Sequence, residues 1–378
     1  MTMSYTEKER SPGPKKLLAL DGGGIRGVIT LEVLAAMESM LRSALGRDES
    51  FVLADYFDYI AGTSTGAVIG AGLARGMPVS ELRERYLSMG SKMFKKALWP
   101  QRVWNKYRAD PLTAELQGVY GKETTFGDPS LRTLLLMVLR NASTDSPWPL
   151  ANNTGAKYNA PDHPDCNLKL PLWQLVRGSA AAPVYFPAEE INLGRRKFVF
   201  VDGGVTPYNN PAFQLFLMAT MKAYGLGWTT GEKEMLLISV GTGFSPKANE
   251  NLKLSRMHVI YNTTSLPGAM MYGAMNQQDM LCRVFGRCKA GHVLDREIGD
   301  LEAEDGTIGQ KLFTYARYNI ELSRQGLGAL GLTGIDPAKV MRLDSTDHVA
   351  ELSAIGKALS ERDLTLDPFE GFLGHDRP

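Results

Sequence analysis

The chain has 378 residues, an apolar fraction of 44% and a formal charge of +1. That length and composition supply a sizeable core, in one large domain or two small ones. The near-neutral balance gives no pull toward a nucleic acid polymer. Three scattered cysteines exclude a disulfide framework, and the lack of any apolar run of about 18 residues excludes a membrane-spanning helix.

Residues 1–14 are polar and carry two prolines. They read as a disordered leader before one continuous unit, 15–378. Met1 to Lys16 holds charges and no apolar stretch of the kind an export signal needs. The expectation is therefore a cytoplasmic protein. Cys282, Cys288 and His292 fit no common zinc spacing, and no metal or cofactor is read from the sequence.

Lys16 to Leu20 is a short apolar run and reads as a buried strand. It ends at Asp21-Gly22-Gly23-Gly24-Ile25-Arg26-Gly27. Val28, Leu31, Leu34, Ala35, Met37 and Leu41 then recur at helix spacing, and Gly46 marks a stop. Gly22, Gly24 and Gly27 formally satisfy the dinucleotide-binding pattern. That reading wants an acidic residue ending the second strand, to hold a ribose. The next strand, Phe57 to Ala61, instead enters Gly62-Thr63-Ser64-Thr65-Gly66.

This pentapeptide matches G-x-S-x-G, a nucleophile elbow. The apolar run before it reads as a strand, and the small residues Ala67 to Leu73 read as a helix. A serine there has its Oγ at a strand's carboxyl end and beside a helix N-terminus, which favours an anion. Gly62 and Gly66 let neighbouring backbone pass close to the turn. Beside such a serine, the Gly23 and Gly24 amides and Arg26 read as donors to an oxyanion, each worth ~3 kcal/mol when so aimed. A nucleotide-binding module built on Gly22 to Gly27 is the non-enzymatic alternative.

Leu82 to Leu98 has helical spacing. Ser91 to Ala109 holds Lys92, Lys95, Lys96, Arg102, Lys106 and Arg108 with no acid among them, and Phe94, Trp99, Trp104 and Tyr107 are interleaved. Such a mixture suits a lipid surface. The reading preferred is a solvated segment whose aromatics pack inward. Pro129 to Leu139 reads as a buried element. Asn141 to Pro171 is rich in Asn, Pro, Asp and Gly and reads as a long surface loop carrying His163. Leu172 to Ala182 reads as a helix stopped by Pro183.

Lys197 to Val201 is a strand ending at Asp202-Gly203-Gly204, and Glu234 to Val240 is one ending at Gly241-Thr242-Gly243. Four strands thus end in glycine-rich polar turns. This pattern belongs to an α/β sheet with its site at the carboxyl edge. Beyond Asn251 the pattern is helical over Met257 to Arg287, Leu312 to Arg324 and His348 to Leu359, with Asp347 the candidate cap of the last.

A serine nucleophile needs a base. His258, His292, His348 and His375 all follow Ser64, so the order serine, acid, histidine of an α/β-hydrolase is open. Asp202, ending a strand before two glycines, offers direct acceptance of the Ser64 proton. The competing reading of Asp202 is an ordinary turn aspartate.

The three motifs in order, Asp21 to Gly27, Gly62 to Gly66 and Asp202-Gly203-Gly204, closely resemble those of the patatin-like phospholipases. Ala180 to Pro187, Asp202 to Pro211 and Ser239 to Gly243 are similar to that family as well. The resemblance runs from about Lys16 to Phe244 and weakens through the C-terminal helices. It implies a three-layer α/β/α sandwich with a helical C-terminal part. It also implies a Ser64–Asp202 dyad with no histidine, and an oxyanion loop at Gly23, Gly24 and Arg26. The implied reaction cleaves acyl esters of phospholipid through an acyl-serine.

Ala156 to Asn159 and Tyr318 to Leu322 resemble a bacterial branch that includes phospholipase effectors switched on by cyclic nucleotides in anti-phage defence. An enzyme that cleaves membrane lipid from inside a cell needs restraint. The resemblance makes a cyclic dinucleotide the first activator to test, with assembly into a homo-oligomer as a second route to a gate. Asn141 to Pro171 and the C-terminal helices are the candidate places for such a ligand. Peripheral contact with the inner membrane follows from the implied substrate.

Overall fold

The computed structural model describes residues 3–93, 109–245, 259–295, 297–302 and 308–374. Nine strands form one mixed sheet: β1 (Lys15–Leu20), β2 (Tyr59–Thr63), β3 (Leu134–Asn141), β4 (Ser146–Ala151), β5 (Glu189–Leu193), β6 (Arg196–Asp202), β7 (Met235–Val240), β8 (Arg287–Ala290) and β9 (Thr314–Tyr318). Their order is β5-β6-β3-β2-β1-β7-β9-β8, with β4 added on β3. β3, β2, β1, β7, β9 and β8 are joined by parallel pairings. β1, β2 and β7 are buried along their whole lengths, as strands covered on both faces must be.

The helices are α1 (Tyr5–Arg10), α2 (Gly27–Ala44), α3 (Leu53–Tyr56), α4 (Thr65–Ala74), α5 (Val79–Met93), α6 (Ala109–Tyr120), α7 (Leu172–Ser179), α8 (Ala212–Thr220), α9 (Val259–Phe285), α10 (Arg324–Ala329), α11 (Pro337–Val340) and α12 (Val349–Asp363). They flank the sheet to give an α/β/α sandwich. α4 lies against β1, β2 and β3 and is entirely buried. Its composition of glycine, alanine and short aliphatic residues lets it sit close to the sheet. α12 packs on α2, where Gly356 faces the backbone of Ile29 so tightly that a Cβ would collide.

The leader departs from the expected disorder. Residues 5–10 form α1, with Tyr5 and Lys8 buried. The Lys8 ammonium donates to the carbonyls of Ala54 and Phe57, which caps the loop before β2.

The expected loop over Asn141 to Pro171 contains β4. Pro147 and Pro149 lie within it, and prolines cannot donate to a ladder. β4 tolerates them because it pairs with β3 alone. Beyond it, Asn152 accepts from the Leu135 amide at 2.8 Å, and Asn159 donates to the carbonyls of Ala151 and Asn153 at 2.8 and 2.7 Å. These asparagines are buried. Their job is to satisfy backbone inside the fold, which composition alone misread as solvation.

The expected helix over Leu312 to Arg324 is replaced by β9, which pairs with β7 and β8. The final helix is capped at His348, and Asp347 lies in the turn before it without a capping bond. The basic and aromatic stretch Ser91 to Ala109 lies almost wholly outside the described residues; α5 leads into it and α6 leads out.

Candidate active site

Strand β3 has two edges and three partners. β4 covers one edge along residues 136–141. On the other, β2 pairs with residues 134–138 and antiparallel β6 with residues 139–141. β2 and β6 therefore meet end to end. Thr63 sits opposite Val138, and Asp202 sits opposite Leu139. The carboxyl termini of two opposed strands converge there. That is how Ser64, the residue after β2, comes to face Asp202, the last residue of β6.

The Ser64 Oγ donates to Asp202 Oδ2 at 2.6 Å. Ser64 has φ 54° and ψ −121°, a region that L-residues avoid at a cost of order 1–3 kcal/mol. The turn is held by close packing. A Cβ on Gly62 would strike the Gly66 carbonyl, and one on Gly66 would strike the Leu20 carbonyl at the end of β1. The Ser64 amide is fixed by Ser179 Oγ at 2.9 Å, and Ser179 in turn donates to the Val138 carbonyl at 2.6 Å.

Asp202 is buried, with its second oxygen accepting from the Gly204 amide at 2.6 Å. Gly203 turns directly over the Val138 carbonyl, where a Cβ has no room. Burial pushes the Asp202 carboxyl up to about 6, against the opposing pull of the bonds from Ser64 and Gly204. It is ionised at neutral pH and basic enough to take a proton.

The glycine loop lies beside this pair. Gly22 is close enough to Ser64 that a Cβ would press on the serine Cβ. Gly24 has φ +57° and abuts the Leu343 carbonyl. Its own carbonyl accepts from Thr65 Oγ1 at 2.8 Å and from the Tyr86 hydroxyl at 2.6 Å. A Cβ on Gly27, the first residue of α2, would collide with Thr65 and Tyr86. Among the described residues, no acceptor takes the N–H of Gly23 or Gly24. Arg26 donates through Nε to the Gly23 carbonyl at 3.3 Å, as does its backbone amide at 3.3 Å. Burial pulls its guanidinium down to about 10, which leaves it charged at neutral pH.

A cavity of about 430 Å³ opens onto Ser64, Asp202, Gly23, Gly24 and Arg26. Its apolar lining comes from Ile25, Val68, Pro183, Phe186 and Met271, so chain segments far apart in sequence contribute to it. The volume falls in the range of small-ligand sites, ~300–1,000 Å³.

The histidines are elsewhere. His292 lies tilted against Phe244 with ring centroids 4.6 Å apart and stands 3.9 Å from Asp279, where burial pulls it down to about 4. His348 pairs with Glu351, and His163 accepts from the Asp165 amide. None of these three lines the cavity. His258 and His375 lie outside the described residues. Cys282 and Cys288 are buried as free thiols.

Four contributors escaped the sequence reading as site residues. Ser179, Asn209 and Thr242 hold the backbone around Ser64 and Asp202, and Arg317 on β9 grips Asp21. Asn209 and Thr242 sit inside the stretches that carry the family resemblance, which was the available signal. Arg317 was hidden by the helical reading of its strand, although Thr, Tyr and Tyr within five residues favour a strand.

Comparison with known proteins gives the family. The sequence pattern of the patatin-like phospholipase family matches residues 18–216. An intracellular phospholipase A2 of Caenorhabditis elegans is 34% identical over 61% of this chain and 20% of its own length. A cGAMP-activated phospholipase of Vibrio cholerae is 31% identical over 55% of this chain and 58% of its own. Another of that name from Pseudomonas aeruginosa is 35% identical over 50% of this chain and 52% of its own. The match thus spans no more than about three fifths of any of these relatives. No helix among the described residues is long and apolar enough to cross a membrane. With more than half its length matched, and with the elbow, the glycine loop and the Asp202 turn in one place, this chain belongs to the patatin-like phospholipase family.

Proposed function

We propose that this protein is a serine lipid acyl hydrolase that cleaves acyl esters of membrane phospholipid. The observation that carries the reading is the 2.6 Å bond from Ser64 Oγ to Asp202 Oδ2 at a strained elbow. Asp202 accepts the Ser64 proton as Oγ adds to the ester carbonyl. The N–H groups of Gly23 and Gly24, with the charge of Arg26, stabilise the oxyanion. Collapse breaks the ester C–O bond, and Asp202 returns its proton to the departing alcohol of the lysophospholipid. Water, deprotonated by Asp202, then releases the fatty acid from Ser64. The apolar side of the cavity takes the acyl chain.

Labelling with a fluorophosphonate, followed by peptide mapping, tests the nucleophile. Ser64 should carry the label and Ser64→Ala should lose it. Label on another residue would overturn the assignment. A histidine-dependent mechanism is separated by His258→Ala, because His258 is a histidine whose surroundings are not described; full activity in that variant favours the dyad.

The bacterial relatives named cGAMP-activated phospholipases support a second part of the reading. The resting enzyme is slow, and a cyclic dinucleotide raises its rate at least about tenfold, or ~1.4 kcal/mol. Such a ligand must bind the active state more tightly than the resting one. A fluorogenic phospholipid assay with a panel of cyclic di- and trinucleotides tests this. Full activity without ligand, unchanged by the panel, discards the gate and leaves an ungated acyl hydrolase working at the lipid surface.

A further inference from the structure

The geometry points to Thr242 as a positioning residue for the oxyanion-binding amide of Gly23. This inference rests on the acyl-hydrolase reading and adds to it a residue that never touches substrate. A peptide unit is planar and trans, so the N–H of one residue points opposite to the carbonyl of the residue before it. Whatever holds the Gly22 carbonyl therefore aims the Gly23 N–H. Thr242 Oγ1 donates to the Gly22 carbonyl at 2.9 Å, and both partners are buried. Asn209 Nδ2 reaches the same oxygen at 3.5 Å, a much weaker hold. The Gly22 amide donates to the Asn209 carbonyl at 3.1 Å, which fixes the other side of the residue.

Thr242 also explains why residue 23 is glycine. A Cβ there would overlap the Thr242 side chain, although φ at Gly23 is an extended 176°. The threonine thus fills the space behind the loop, and its hydroxyl turns the Gly22–Gly23 peptide so that the N–H points away from it. Among the described residues that N–H meets no acceptor, and Gly23 borders the cavity that holds Ser64. A buried amide without a partner is rare and costly. Here the partner is the carbonyl oxygen of a bound ester as it becomes an oxyanion.

The position follows from the sheet. Thr242 lies two residues beyond β7, which is β1's neighbour, and Gly22 lies two residues beyond β1. In-register parallel strands deliver the two turns side by side, so the hydroxyl needs no long side chain to reach.

The test replaces the hydroxyl without changing the shape. Thr242→Val keeps the branched side chain that packs behind Gly23 and removes the donor; Thr242→Ser keeps the donor. Steady-state kinetics on a soluble ester are compared with thermal midpoints. Misaimed donors cost rate far more than ground-state binding. Thr242→Val should lower kcat by about tenfold or more, with KM within about twofold and secondary structure intact, and Thr242→Ser should recover most of the loss. Equal kcat in parent and valine variant would overturn the inference, as would a loss confined to KM or a serine variant as slow as valine. A parent with no Ser64-dependent hydrolysis would instead bring down the acyl-hydrolase reading and this one with it.

Discussion

The carboxylate of Asp21 and the guanidinium of Arg317 meet in a two-pronged ion pair at 2.6 and 3.1 Å, with both side chains about 1% exposed. Asp21 begins the glycine loop, and Arg317 comes from β9, two strands away. The same guanidinium lies 3.5 Å from Asp279 on α9, which Arg283 and Tyr315 also bind. Burial alone would push Asp279 up, but Arg317 and Arg283 outweigh it and hold the carboxyl below its usual range.

Arg317→Met leaves Asp21 and Asp279 buried without that partner. Breaking one side of a buried pair costs ~3–5 kcal/mol. The urea midpoint should fall accordingly, and kcat should fall with it because the glycine loop loses its anchor. A stability loss under ~1 kcal/mol would show that the pair is dispensable.

Ser64→Ala should abolish hydrolysis of phospholipid and of short esters while the chain stays folded. The substitution removes only a hydroxyl, at a half-buried position. Near-parental turnover with an intact thermal transition would remove Ser64 from the mechanism.

Asp202→Asn should be nearly as inactive as Ser64→Ala, and the double variant no worse than either, because the two act as one unit. In the parent, kcat/KM should fall as pH drops through about 6, where the carboxyl takes up its proton. Stability should move the other way. A carboxyl raised from 3.8 to about 6 binds its proton more tightly in the folded state. The parent therefore loses stability as pH rises through that window. Asp202→Asn should be more stable than the parent at pH 7, by up to about 3 kcal/mol from its urea midpoint, with the gap closing below pH ~4. An acid limb absent from the rate profile would contradict Asp202 as base.

His163→Ala, His292→Ala and His348→Ala should each keep most of the activity per folded molecule, since none of these side chains borders the cavity. A loss of a hundredfold or more in any one would favour a triad.

Much of the site was legible because motif chemistry is local. An elbow needs small residues on both sides of its serine, and a glycine loop needs room behind it; both are written in consecutive letters. Asp202 was legible as a strand-ending aspartate and as a candidate partner of Ser64, but the way the fold brings the two together was not. The meeting depends on β6 running against its neighbours and overlapping β3 by three residues, a fact of pairing that no local pattern records. β9 and β4 were missed for related reasons. A five-residue buried strand has too little periodicity to separate it from a helix. Prolines that would break a central strand are harmless in β4, which pairs on one side only.

The central place of β1 has a consequence for any attempt to isolate the matched region. Residues 18–216 contain both Ser64 and Asp202 but stop before β7. Six consecutive β1 residues, Lys15 to Leu20, pair with Met235 to Val240. Cutting at residue 216 would strip that partner and leave a buried, largely apolar interior strand as an open edge. Open edges of that kind recruit other chains. Such a fragment should aggregate rather than work, and a soluble form should need β7 and β9 as well.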